Sequence, residues 1–183
     1  MKDTYKSITK PSPEVLFKDR NSKFFGYAFP VKTEEEANEH LEELRAKHHK
    51  ARHWCYAWQL GKEDFQYRAN DDGEPSNSAG MPIYGQINSM NLTNLAVFVV
   101  RYFGGVKLGV GGLISAYKET ARNTLEMAQI SERQLSSRFQ LTCDYEQMNT
   151  VERLISKLQL PIAERILKEN AIFVLDVPLN MKT

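Results

Sequence analysis

Residues 95–117 read LAVFVVRYFGGVKLGVGGLISAY, and the fold turns on this stretch. Leu95 to Val100 is an unbroken apolar run, far short of the ~20 residues a membrane helix needs, so it predicts a central strand covered on both faces. Gly104 to Gly112 follows as a loop with five glycines. Leu113, Tyr117, Ala121, Leu125 and Ala128 then recur on one side, which predicts a helix over 113–130. Glycines let the backbone approach a ligand closely, a helix start offers free N–H groups to an anion, and Arg101 and Lys107 add positive charge. The spacing fits neither a Walker loop nor a Rossmann fingerprint. Two readings stay open: a loop that binds an anion or a partner, and a tight turn that packs strand against helix.

Upstream, the polar residues 1–23 with Pro11 and Pro13 read as an extended lead-in. Phe24 to Val31 reads as a first strand at a sheet edge, with Pro30 near its end. Thr33 and Glu36 form a capping box for a helix whose buried stripe is Ala37, Leu41 and Leu44. Residues 52–60 alternate as a strand, with His53, Cys55 and Ala57 on one face and Trp54, Tyr56 and Trp58 on the other. Residues 65–69 return as a hairpin, 70–80 form a polar loop, and 81–90 give a weak helix signal. Downstream, the polar stretch 131–138 is a connector and marks a boundary between domains 1–132 and 133–183. The second module reads strand 139–143, helix 146–160, strands 163–168 and 172–178.

Three clusters invite chemistry. Asp71-Asp72-Gly73-Glu74-Pro75 places three carboxylates within four residues. An EF-hand register fails, because its closing glutamate position falls on Ala79, so a cation site competes with an ordinary Asx-type turn. His49, His53 and Cys55 fall short of the four ligands of a structural zinc site, and Cys55 among aromatics reads as a small core residue. The Trp54, Tyr56 and Trp58 stripe suits base stacking or plain core.

Composition narrows the class. The chain has 183 residues, 42% of them hydrophobic, with 24 Lys+Arg against 23 Asp+Glu. A bulk basic footprint for nucleic acid is absent, so any such surface is a local patch. The charged start MKDTYK has no apolar segment behind it, and the two cysteines belong to no disulfide framework; both point to a cytoplasmic protein with no membrane association.

His53-Trp54-Cys55-Tyr56-Ala57, the segment Asp71 to Pro82, and the segment Arg101 to Tyr117 together resemble the IMPACT family, over roughly residues 20 to 130. Asn77-Ser78 stands where that family usually carries Gly-Thr, and Ser115 where arginine is usual. The resemblance implies an α+β protein: an N-terminal two-layer α/β domain like the second domain of ribosomal protein S-five, with a left-handed crossover. It also implies a partial ferredoxin-like C-terminal module, similar to a domain of elongation factor G. For function it implies a role near translation, with RNA, the ribosome or a translation-linked protein factor as partner. Eukaryotic members bind an activator of a stress kinase. No catalytic residue, metal or cofactor is carried over. The expected binding set is Asp71, Asp72, Gly73, Glu74, Pro75, Arg101, Phe103, Gly104, Gly105, Lys107, Gly109, Gly111, Gly112 and Tyr117. The alternative is an enzyme acting on a small phosphorylated or peptide substrate with Asp71, Asp72 or Glu74 as acid/base or Mg²⁺ ligand.

Overall fold

The computed structural model describes residues 4–181. The apolar run becomes strand β6 (Leu95–Tyr102), the centre of a five-stranded antiparallel sheet. Its order is β2 (Val15–Asp19), β3 (Ser22–Pro30), β6, β4 (His53–Leu60), β5 (Gln66–Asn70). Every residue of β6 from Leu95 to Arg101 is buried, as a strand with cover on both faces requires.

Residues 4–23 are more than a lead-in. They supply β1 (Thr4–Ile8) and the edge strand β2, which turns into β3 through Arg20 and Asn21, with φ of 45° and 64°. Two successive left-handed residues suit the twist of a two-residue hairpin; the asparagine accepts that geometry readily, whereas the arginine gives no such signal in sequence. The strand expected at an edge, β3, is therefore interior, paired with both β2 and β6. Pro30 is tolerated because it is the last residue of that strand.

One sheet face packs on α2 (Gly80–Ser89) and α3 (Gly109–Met127), through Phe24, Ala28, Cys55, Ala57, Val97 and Val99 against Ile83, Ile87, Leu113, Tyr117 and Leu125. The other face carries Tyr27, Tyr56, Trp58, Ala96, Phe98 and Val100 against Ala37, Leu41 and Leu44 of α1 (Glu34–Lys47). The domain thus has a third layer beyond the two expected, while the α+β class stands. Thr33 caps α1 as read, its side chain accepting from Glu36 N at 3.2 Å, though Glu36 Oε2 answers at Lys32 N, one residue before the cap.

Helix α3 starts four residues earlier than its apolar repeat suggests and ends at Met127, so Gly109, Gly111 and Gly112 lie in its first turn. The stretch read as a connector is largely strand: β7 (Ile130–Gln134) pairs with β1, and β8 begins at Ser136. Ladder hydrogen bonds come from the backbone, so polar side chains do not prevent pairing.

The described chain divides into two compact units, Tyr5–Arg133 on one side and Thr4 with the part from Gln134 onward on the other. The latter holds β8 (Ser136–Cys143), α4 (Tyr145–Lys157), β9 (Ile162–Leu167) and β10 (Ala171–Pro178), with β10 antiparallel between the other two strands. That is the split β-α-β arrangement of a ferredoxin-like piece. Ile155 of α4 packs with Cys143, Ala171, Phe173 and Leu175 to form its core.

Candidate functional site

Strand register sets the site. Phe24, Arg101 and His53 lie abreast across β3, β6 and β4, and the next row on that face is Gly26, Val99 and Cys55. The first row ends the sheet where the 71–80 and 103–108 loops leave it. Glu74 enters from the first loop and Tyr117 from α3. Glu74 Oε1 accepts from Arg101 Nη1 at 2.7 Å and from the Tyr117 hydroxyl at 2.7 Å, with His53 Nε2 3.9 Å away. The ion pair is buried, its side chains 6% and 4% exposed.

Aromatic rings close around this pair. The Arg101 guanidinium lies 5.6 Å from the ring centroids of both Phe24 and Phe103, and Tyr117 meets Phe24 edge-on at 5.2 Å. Arg101 Nη2 reaches the Ser22 hydroxyl at 3.4 Å, which also accepts from Gly104 N at 3.3 Å. The Cys55 thiol donates to the Asp71 carbonyl at 3.0 Å, with the Tyr117 oxygen 3.4 Å away. Burial pushes both the Cys55 thiol and the Tyr117 phenol far above their ordinary pKa values, and the Glu74 charge pushes the same way. Both stay protonated at neutral pH and act as hydrogen-bond donors.

The remaining carboxylates of the loop also face inward. Asp71 Oδ1 accepts from Ala79 N at 3.1 Å and Gly80 N at 2.8 Å, and its Oδ2 from Asn77 N at 2.8 Å. It thereby caps α2, whose own N-cap Ala79 has no side-chain oxygen. Asp72 Oδ2 accepts from Trp54 N at 2.7 Å, and its carbonyl from His53 Nδ1 at 2.8 Å. Asp72 and Gly73, with φ of 41° and 85°, make the sharp turn between these two anchors. Pro75 is exposed, and its carbonyl accepts from Ser78 N at 3.0 Å. Among the described residues, no group of three His, Cys, Asp or Glu side chains is placed to hold a metal.

The second loop is held from below and bare above. A Cβ on Gly104 would stand 2.0 Å from the Asn21 carbonyl carbon, so this position requires glycine. Gly105 and Gly109 have φ of 87° and 74°, and a Cβ on Gly112 would stand 3.1 Å from Leu108 Cβ. Gly111 is different: it is helical, and a Cβ there would meet nothing within 4 Å. Arg20 Nη1 donates to the Leu108 carbonyl at 3.1 Å and ties the β2–β3 turn to the loop. Outward point Phe103 (44% exposed), Val106 (44%), Val110 (53%) and Ile114 (38%), with Lys107 exposed among them.

The structure therefore joins the two expected segments through Glu74, Arg101 and Tyr117, and splits the expected residues into an inward set and an outward set. Sequence reasoning placed His53 and Cys55 on one strand face but left them out of the site. It also missed Ser22 and Phe24, which register alone brings beside Arg101. The Trp54, Tyr56 and Trp58 stripe belongs to the core beneath α1.

The Impact N-terminal domain profile matches residues 20–125. The IMPACT family member YvyE of Bacillus subtilis is 36% identical over 152 residues, which cover 83% of this chain and 70% of that protein. An IMPACT family member of Haemophilus influenzae is 31% identical over 171 residues, 91% of this chain and 83% of the relative. A crystal structure of a hypothetical protein matches 100% of this chain and 89% of its own, with TM-score 0.76 and 26% identity. With the sequence matches running through both loops of the site, the chain belongs to the IMPACT family.

Proposed function

We propose that this chain is a non-catalytic binding protein linked to the regulation of translation, contacting RNA, the ribosome or a translation factor through the outer surface of the Asp71–Pro75 and Arg101–Gly112 loops. The link to translation rests on the family. The placement on these loops rests on one observation: Phe103, Val106, Lys107, Val110 and Ile114 point outward around glycines, one of which, Gly111, has no packing reason to lack a side chain. A glycine within a helix costs at most roughly 0.5–1 kcal/mol relative to alanine, and at Gly111, in the first turn of α3, it leaves room for close backbone approach instead.

The inward set supports binding over chemistry. Asp71, Asp72 and Glu74 are engaged by backbone N–H groups or by Arg101 and Tyr117, so each shapes a loop instead of presenting a free acid or base. Arg101 positions Glu74, and Lys107 is left as the loop's outward cation.

Cosedimentation of the purified protein with ribosomes and with free RNA, at low and moderate salt, tests the reading. Phosphate contacts weaken steeply as salt rises, whereas apolar contact through Phe103 and Val110 does not. Salt-sensitive binding weakened by Lys107→Ala identifies nucleic acid as the partner. Salt-resistant binding weakened by Phe103→Ser identifies a protein surface. Absence of binding at low salt removes both the ribosome and RNA.

A further inference from the structure

Away from the two loops, the Tyr5–Arg133 unit carries a cleft of about 710 Å³, within the size range of small-molecule sites. Its walls come from β1, the end of β3, the turn after β4 and the last residue before Gln134. Ile8 and Val31 give it buried apolar lining. Lys32, Lys62 and Arg133 line it against a single carboxylate, Glu36, whose Oε2 already accepts from Lys32 N at 2.7 Å. None of the three cations has a carboxylate within 4.0 Å among the described residues, although the chain as a whole is nearly charge-balanced.

Neutral donors stand with them. Lys62 Nζ lies 5.4 Å from the centroid of the Tyr5 ring, which steadies its stem at the rim. Asn94 is held by three hydrogen bonds: its Oδ1 accepts from Gly61 N at 3.0 Å, and its carbonyl from Val31 N at 3.1 Å and Ser7 Oγ at 3.3 Å. That arrangement leaves the Asn94 side-chain NH₂ with no partner among the described residues. Cations of one sign gathered in a cleft focus the local potential and raise the concentration of an anion there.

We propose that this cleft binds a small polyphosphorylated molecule, its phosphate oxygens met by Lys32, Lys62 and Arg133 and by the Asn94 amide. Lysine and arginine are the side chains that hold phosphate, and three of them around one cavity match an anion carrying at least two phosphates. This site is separate from the glycine loop, so a negative result with ribosomes leaves it standing, and the reverse also holds.

Titration with inorganic pyrophosphate, followed by amide NMR shifts and by melting temperature, tests the proposal, with sulfate at equal ionic strength as the reference. Saturable shifts at Ser7, Lys32, Gly61 and Asn94, with a rise in melting temperature that sulfate does not reproduce, are expected. Lys62→Ala/Arg133→Ala removes two exposed side chains, so its ligand-free melting temperature should match the wild type while pyrophosphate affinity falls about tenfold or more. Equal affinity in this variant, shifts centred on residues 103–114 instead, or no saturation at all would overturn the proposal.

Discussion

Glu74 is the residue on which the two loops depend. Its carboxylate is buried with Arg101 and Tyr117, so removing it strands a buried guanidinium, whereas removing the phenol oxygen costs one hydrogen bond. Glu74→Ala should therefore destabilise the protein by about 3–5 kcal/mol, and Tyr117→Phe by about 1–3 kcal/mol, both read from urea denaturation midpoints. A Glu74→Ala cost no larger than that of an exposed carboxylate would remove the scaffold role. On the opposite sheet face, His48 is buried between Tyr27 and Tyr102, its Nε2 2.5 Å from one hydroxyl and its Nδ1 2.8 Å from the other. Burial lowers its pKa below the ordinary 6.5, with the Lys47 charge adding to the effect and Glu14 opposing it. Because the folded form binds the proton less well than the unfolded one, stability present above pH 6.5 is lost as pH falls below it. Glu14, lowered by its hydrogen bonds to Lys47 and Tyr27, extends the loss below its ordinary 4.5. Melting curves from pH 7.5 to 5 should decline, and His48→Gln should flatten the decline.

At the scale of elements, the glycines separate folding from function. Gly104→Ala drives a Cβ into the Asn21 backbone and should cost about 2 kcal/mol or more. Gly111→Ala enters open space in a helix and should stabilise by roughly 0.5–1 kcal/mol while weakening partner binding. Gly85 in α2 also has open space around it, so Gly85→Ala serves as the control that stabilises without touching the loop. What was legible in sequence follows the strength of the local signal. The six-residue run Leu95 to Val100 and the Thr33 cap could be read because burial and capping leave residue-level marks. Strands β1, β2 and β7 could not, because their pairing is made by backbone and a left-handed Arg20 carries no propensity for its turn. The start of α3 was hidden for a related reason: Gly109 to Gly112 read as loop residues, yet the helix is entered at Gly109 and runs on through Gly111 and Gly112. Within the site, the two segments were visible, but the direction of each side chain was not. Arg101 looked like a phosphate ligand until the register set it beside Phe24 and His53, facing Glu74.

At the scale of the Tyr5–Arg133 unit, a sheet covered on both faces holds an outward surface in which apolar side chains, a lysine and bare backbone alternate. Single apolar residues on a surface are ordinary; the proposed contact site rests on four of them along one loop and helix start, next to a glycine without a packing role. The most direct test pairs binding with stability in one variant, Phe103→Ser/Val110→Ser, using ribosome cosedimentation and the melting temperature on the same preparation. Both side chains are about half exposed, so a melting temperature within roughly 2 °C of the wild type is expected together with loss of at least about tenfold in binding. Full binding by a variant that melts like the wild type would overturn the proposed placement, since the outward face of the glycine loop would then not be where the partner sits.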